Sequence, residues 1–323
     1  MQNIAICLSS DNNYVQHLGA TISSVLKNKN SDDFINVYII DGGISEENKE
    51  KLNKFQIKYD CKIEYLIPDF AKLKNCIMFE DDYISLATYY RLLIPEMIKN
   101  EDRVIYLDCD IIVRKSLKDL YNKDFGNNLV LGVIDVIASR HAQRLGLKKY
   151  INAGVLLMNA KQMREENSVS KILDWLAKNK SEVRLHDQDV INASINDRIG
   201  YIENIFNAQV RRKNMSEFDK IKDPTILHFI SCQKPWTVIK PLDYTKWEKD
   251  YFNALEGTPW DNFIMEYKLS SQKNFIKRLF YISGWLRTFF QKIFSITNSL
   301  DREKKVVTIM FITFEFNRKR KEN

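Results

Sequence analysis

Two aspartates one residue apart, Asp108 and Asp110, close an apolar run, Val104-Ile105-Tyr106-Leu107, and a second run, Ile111-Ile112-Val113, follows them. An apolar run bounded by charge reads as a buried strand of an open α/β sheet, and such sheets bind ligands at the carboxyl ends of their strands. In an extended segment, side chains two apart point to the same side, so both carboxylates converge on one hard cation while Cys109 turns inward. A divalent ion bridging protein and diphosphate suits that arrangement. The triplet alone is a weak signal, because ordinary acidic usage yields about one in a chain of this length. A second stands at Asp187-Gln188-Asp189.

Other chemistry-bearing residues fall at the ends of strand-like runs. His228 lies within Ile226-Leu227-His228-Phe229-Ile230, a setting that suits a packed core residue as well as a ligand. If strand ends gather at one edge, His228 reaches Asp108 and Asp110. Two carboxylates and one imidazole with open positions suit Mn²⁺ or Mg²⁺, and the nitrogen favours Mn²⁺. Lys234 either neutralises a diphosphate as a point charge or is a solvated loop lysine. Asp187 and Asp189 suit a helix N-terminus through its dipole. Gln188 between them can offer a carbonyl oxygen to an oxocarbenium-like sugar centre without ionising.

These residues need elements to hold them. Ile4 to Leu8 reads as a first strand, followed by the polar loop Ser9 to Tyr14 and a helix carrying Leu18, Ile22, Val25 and Leu26. The loop lacks G-x-G-x-x-G, so it is not a dinucleotide-binding turn; its polar side chains either bond a base edge or cap the helix. Strands follow at Val37 to Ile40 and Ile63 to Leu66, then a helix over Ser85 to Ile98 that carries Arg91. Leu129 to Ile134 is a further strand ending in a carboxylate, Asp135. In Ile151 to Met158, Ala153 and Gly154 follow Asn152 and allow close approach of a ligand or backbone. Strands alternating with helices predict a mixed, mostly parallel α/β sheet.

At 323 residues, with 45% hydrophobic and 28% charged residues, the composition is globular. Five cysteines without C-x-x-C spacing argue against a disulfide framework and a structural zinc site, and fit a reducing cytosol. The first residues read as a strand and not as a signal peptide. Charge is uneven: Lys268 to Asn323 holds thirteen Lys or Arg against four Asp or Glu, which leaves the rest of the chain at −2 within a total of +7. Phe275, Leu279, Ile282, Leu286, Phe289, Phe290 and Ile293 share one face of a helix expected over 275–296, and Arg318 to Lys321 extend the basic character. Such a basic, aromatic, amphipathic tail suits an anionic membrane surface. The apolar segment Val306 to Phe316 is too short to span a bilayer. The expected division is a catalytic domain over 1–262 and a membrane-associating tail over 263–323.

Seven segments now stand in order: Asp11-Asn12-Asn13-Tyr14, Gly42-Gly43-Ile44-Ser45, Thr88-Tyr89-Tyr90-Arg91-Leu92, Tyr106 to Asp110, Asn152-Ala153-Gly154-Val155, Asp187-Gln188-Asp189, and His228-Phe229 with Lys234-Pro235-Trp236. Together they resemble glycosyltransferase family 8, above all its bacterial lipooligosaccharide α-galactosyltransferases and lipopolysaccharide α-glucosyltransferases. The resemblance implies a GT-A fold, a UDP-hexose donor, and transfer with retention to a saccharide acceptor such as the lipopolysaccharide core. It further implies Mn²⁺ or Mg²⁺ on Asp108, Asp110 and His228, the nucleotide at Asp11 and Asn13, and the diphosphate at Lys234. Arg91, Asp135, Asn152, Gly154, Asp187 and Gln188 would surround the donor sugar. Attachment to the cytoplasmic face of a bacterial plasma membrane is expected, without nucleic acid as partner. The rival readings are a non-catalytic nucleotide-sugar-binding protein at the membrane, a nucleic-acid binder acting through the basic residues of 268–323, and a self-glucosylating or donor-hydrolysing relative.

Overall fold

The computed structural model describes residues 2–78, 86–210, 221–230, 234–237 and 246–263, and the strands 294–298, 304–309 and 312–317. The chain divides into two compact units, one of residues 1–238 and 242–264, the other of 239–241 and 265–323.

The strands of the first unit are β1 (Gln2–Ser10), β2 (Asp33–Asp41), β3 (Cys61–Leu66), β4 (Val104–Leu107), β5 (Ile111–Val113), β6 (Val130–Ile134), β7 (Ile151–Met158), β8 (Ile199–Tyr201), β9 (Ala208–Val210) and β10 (Ile226–Phe229). Seven of them form one sheet in the order β3-β2-β1-β4-β7-β6-β8. Within it only β7 runs against its neighbours, which gives the mixed, mostly parallel sheet expected from the sequence. Buried on both faces, Ile4 to Leu8 and Val104 to Leu107 are continuous apolar runs, as interior parallel strands require. The helices are α1 (Val15–Asn28), α2 (Glu46–Lys58), α3 (Ile94–Met97), α4 (Lys118–Tyr121), α5 (Ser139–Arg144), α6 (Ala160–Glu165), α7 (Ser168–Lys178), α8 (His186–Ser194) and α9 (Lys246–Leu255).

Two features differ from the sequence reading. The helix expected over Ser85 to Ile98 is a 3-10 helix, Leu86–Leu93, followed by the single turn of α3. Pro95 in that turn has no N–H to continue an α-helix, so the chain restarts there and the preceding turns tighten. Second, His228 does not arrive at the edge of the main sheet. It lies on a small sheet ordered β5-β10-β9, in which β10 runs antiparallel to β5 and His228 faces Ile111. Register across this second sheet carries the imidazole to the carboxylates.

One face of α1 serves the backbone around β5. Thr21 Oγ1 lies 3.0 Å from the Cys109 carbonyl and 2.9 Å from that of Ile111, Val113 N–H donates to Ser24 Oγ at 2.9 Å, and Asn28 Nδ2 donates to Val113 O at 3.1 Å. Buried backbone groups need partners, and here helix side chains stand in for a neighbouring strand. On the same face His17 places Nδ1 2.6 Å from the Tyr251 hydroxyl of α9 and stacks on Trp236, with ring centroids 3.7 Å apart.

The second unit contains β11 (Phe294–Asn298), β12 (Lys304–Ile309) and β13 (Ile312–Asn317), paired antiparallel in that order. This corrects the sequence reading at the end of the expected helix, because Phe294 to Ile296 are extended and paired with Val307 to Ile309. β-branched and aromatic residues dominate β13 and much of β12, and they favour a pleated ladder. The rest of the expected helix, residues 275–293, and the basic cluster 318–321 lie outside the described residues. No helix among the described residues is long and apolar enough to cross a membrane.

Burial draws the His17 imidazole down to a pKa of about 3. The unfolded chain therefore binds a proton that the folded chain refuses, so stability present above pH 6.5 is lost as pH falls toward 3. In denaturant titrations His17→Gln is expected to flatten the decline in stability between pH 7 and pH 4.5 relative to the parent. Parallel declines would remove His17 from the account.

Candidate active site

β4 ends at Leu107, and Asp108 to Asp110 form a turn, not the extended segment the sequence suggested. The carboxylates still converge. One ligand atom from each of Asp108, Asp110 and His228 lies within 4.8 Å of the others, and His228 Nε2 is 3.2 Å from Asp110 Oδ1 and 3.8 Å from Asp108 Oδ2. Cys109 is buried, as expected, and its thiol donates to the Ser9 carbonyl at 3.1 Å.

These groups line a cavity of about 300 Å³ together with Ser10, Asp11, Tyr14, Thr88, Arg91, Asn152 and Lys234. Lys234, itself buried, pairs with Asp110 Oδ2 and donates to the Phe229 carbonyl at 2.6 Å. Burial pushes the Asp110 carboxyl up, but the Lys234 ammonium and the His228 ring outweigh it and hold the group well below the carboxylate range. Asp11 Oδ1 accepts the amides of Asn13 and Tyr14, which turns the chain into α1. The Asp11 oxygen shapes the turn, and the residue also lines the cavity. Asn13 is exposed and outside the lining.

Arg91 joins the two acidic motifs. Its Nη2 is 2.9 Å from Asp108 Oδ1, its Nη1 donates to the Ala153 carbonyl at 2.5 Å, and its guanidinium lies 4.3 Å from the centre of the Tyr106 ring. Nε sits 2.9 Å from Asp187 Oδ2, but its hydrogen is directed at the Thr88 carbonyl. Asp187 Oδ2 thus has charge contact and no hydrogen bond, while Oδ1 accepts from Thr88 Oγ1 at 2.5 Å. Burial drives the Asp187 pKa up, and Arg91 and Thr88 only partly reverse it. Asp189 is different: it accepts from Tyr150, Arg144 and the amides of Arg184 and Leu185, so it anchors the entry to α8.

Gln188 reaches across to β7. Its Oε1 accepts the Ala153 amide at 2.9 Å and its Nε2 donates to Asp135 Oδ2 at 3.0 Å; a backbone donor and a carboxylate acceptor together fix which end of the amide is which. Asn152 Nδ2 donates to the same oxygen at 3.2 Å, and its Oδ1 accepts the Gly154 amide at 3.0 Å. Asp135, Asp187 and Gln188 are therefore tied to the cavity through Asn152 and Arg91. Residues the sequence reading passed over include Thr88, Tyr106 and Asn207, which bonds both Asn152 and His228. Thr88 and Tyr106 stood inside quoted motifs; Asn207 follows Asn204-Ile205-Phe206 with no pattern to single it out.

The acidic cluster fits a divalent cation. In octahedral coordination at about 2.1 Å, neighbouring ligands stand about 3 Å apart, close to the 3.2 Å between His228 and Asp110. Asp110 Oδ1 is buried without a hydrogen-bond donor, beside that nitrogen. Gly154 makes the convergence possible: a Cβ there would stand 2.2 Å from His228 Cε1 and 2.7 Å from Asp108 Oδ2.

The family description "Glycosyl transferase family 8" matches residues 5–240. The chain belongs to glycosyl transferase family 8. A putative glycosyltransferase of Haemophilus influenzae is 34% identical over 251 residues, covering 73% of this chain and 73% of the relative. A lipopolysaccharide 1,2-glucosyltransferase of Escherichia coli is 27% identical over 283 residues, covering 82% of this chain and 80% of that enzyme. Among solved structures, the galactosyltransferase LgtC with donor and acceptor sugar analogues superposes with a TM-score of 0.68 at 25% identity, covering 81% of this chain and 99% of that one. The mixed sheet with flanking helices is thus the GT-A fold, and the chain is a glycosyltransferase.

Arg91 neutralises the buried Asp187 and the half-buried Asp108, so its loss strands both. Arg91→Met is expected to cost about 3–5 kcal/mol in chemical denaturation. Adding Asp187→Asn should recover part of that loss; equal stability of Arg91→Met and the parent would refute the ion-pair account.

Proposed function

We propose that this chain is a retaining, metal-dependent hexosyltransferase that moves glucose or galactose from a UDP-sugar to a saccharide acceptor of a cell-surface glycan, foremost the lipopolysaccharide core. The observation that carries this reading is the triad Asp108, Asp110 and His228 beside Lys234, in a family 8 chain. The names of two relatives, a lipopolysaccharide glucosyltransferase and a galactosyltransferase with bound sugar analogues, support the reaction class and leave the hexose open.

Asp108, Asp110 and His228 would hold Mn²⁺ or Mg²⁺, which supplies positive charge to the diphosphate as it departs. Lys234 adds a second positive charge at the same place. Asp11 lies at the nucleotide end of the cavity, near Ser10 and Tyr14. On the sugar side, Asp187 Oδ2 is a buried acceptor lacking a donor, suited to a sugar hydroxyl. Asp135 and Asn152 offer further polar contacts, and Arg91 opposes the protonation that burial favours at Asp187. Gln188 is a poor nucleophile and is held by Ala153 and Asp135. That favours front-face attack by the acceptor, with the leaving phosphate as base, over a covalent intermediate on the enzyme.

UDP release from a panel of UDP-sugars with Mn²⁺ tests the reading. One donor should be consumed, the anomeric configuration of the product should match the donor by NMR, and Asp108→Ala or Asp110→Ala should lower the rate by about a thousandfold. Gly154→Ala should act in the same direction by pushing His228 and Asp108 apart. Rates unchanged in both Asp variants would sink the metal site.

The membrane part of the proposal rests on the +9 surplus of residues 268–323. The full chain should co-sediment with phosphatidylglycerol-rich vesicles and not with neutral ones, and 0.5 M salt should release it. Binding indifferent to lipid charge would remove the tail from this role.

A further inference from the structure

Between Asp135 and His228 runs a chain of hydrogen bonds whose direction is set at every link. Asp135 Oδ2 is a carboxylate oxygen and only accepts, so Asn152 turns its Nδ2 toward it at 3.2 Å. The Gly154 amide, which only donates, meets Asn152 Oδ1 at 3.0 Å and fixes the same orientation independently. Asn152 Oδ1 then takes Asn207 Nδ2 at 2.9 Å. Asn207 Oδ1 is thereby turned to His228 Nδ1 at 3.0 Å, and since that oxygen only accepts, the hydrogen sits on Nδ1. Nε2 is thereby the ring nitrogen that faces Asp108 and Asp110, where a cation would take the place of any proton on it.

We propose that Asn207, 1% exposed on the loop before β9, is the positioning residue that fixes the Nδ1–H tautomer of His228 and so presents Nε2 to the cation. The inference rests on the reading of His228 as a cation ligand, but the Nδ1–H bond to Asn207 is present without metal. In the opposite tautomer, Nε2–H points at the carboxylates, Nδ1 faces the Asn207 oxygen lone pair to lone pair, and the ring cannot ligate. Partners of this kind that orient a ligating histidine are worth about 10–100-fold in metal affinity. Asn207 would act through His228 without touching substrate.

The test uses the full chain labelled with ¹⁵N-histidine. Its four histidines give few ring signals, and His228 is assigned by its absence from His228→Gln. Long-range ¹H–¹⁵N correlation without metal reads the tautomer, and Mn²⁺ binding in the presence of UDP is read by the loss of the free-ion EPR signal. The parent should show Nδ1–H. Asn207→Leu, which fills similar space without an acceptor, should populate the other tautomer and weaken Mn²⁺ binding about 10–100-fold. Asn207→Asp loses the donor to Asn152 but keeps the acceptor facing Nδ1, and should retain the Nδ1–H form. A parent in the Nε2–H form, or Asn207→Leu with unchanged tautomer and affinity, overturns the proposal. Should Asn207→Leu fail to fold, the parent spectrum and Asn207→Asp decide: loss of the Nδ1–H form in Asn207→Asp is equally fatal. A parent that holds Nδ1–H yet binds no Mn²⁺ refutes the cation reading of the preceding section instead, while the hydrogen-bond assignment stands.

Discussion

Negative charge collected at the end of β4 is the constraint to which the rest of the site responds. Asp108, Asp110 and Asp187 are held within ion-pair distance of two cations, Arg91 and Lys234. An unpaired buried carboxylate costs several kcal/mol, so each cation is itself locked in place. Arg91 rests against the Tyr106 ring and is held by carbonyls of Thr88 and Ala153; Lys234 is held by the Phe229 carbonyl. Three carboxylates against two cations leave a surplus of negative charge beside an imidazole. A divalent ion is the partner that such a surplus attracts most strongly.

Precision at that point comes from the backbone as much as from side chains. The Asp108-Cys109-Asp110 turn is gripped on one side by Thr21 of α1 and on the other by the pairing of β5 with β10, where Phe229 N–H bonds the Asp110 carbonyl at 3.0 Å. The Asp108 amide in turn bonds the Gly154 carbonyl at 2.9 Å. Three separate elements therefore fix the two carboxylates, and the absent side chain at Gly154 leaves room for them to meet His228. Such close-packed surroundings move little when a ligand arrives, which is how a site keeps its geometry without spending binding energy on order.

Much of this was readable in the sequence, and what was not has physical causes. Interior strands such as Ile4 to Leu8 show themselves as apolar runs because both faces are buried, and the acids at their ends mark the ligand edge. Local pattern says less about what joins one strand to another. The route that brings His228 to Asp110 is the register of β10 on β5, and register is a long-range property. The same holds for Asn207, whose partners lie 55 and 21 residues away. In the second unit, the periodicity that suggests a helix through Ile296 competes with the β-branched and aromatic content of 294–317, and pairing between strands decides for the ladder there.

The choice of amides between Asp135 and His228 follows from what each group can do. A carboxylate only accepts hydrogen bonds, and an ammonium only donates; an amide does one at each end. Two amides in series therefore transmit a direction, each donating toward Asp135 and accepting from the His228 side. They do so without charge, which matters where negative charge is already in excess. Gln188 donates to the same Asp135 oxygen, so the carboxylate that organises the proposed sugar side is also joined, three bonds away, to the Nδ1–H of His228. The two halves of the site share one hydrogen-bond polarity: a reversed Gln188 would set its Nε2 against the Ala153 amide, and a reversed Asn152 would set its Nδ2 against the Gly154 amide, donor facing donor in each case.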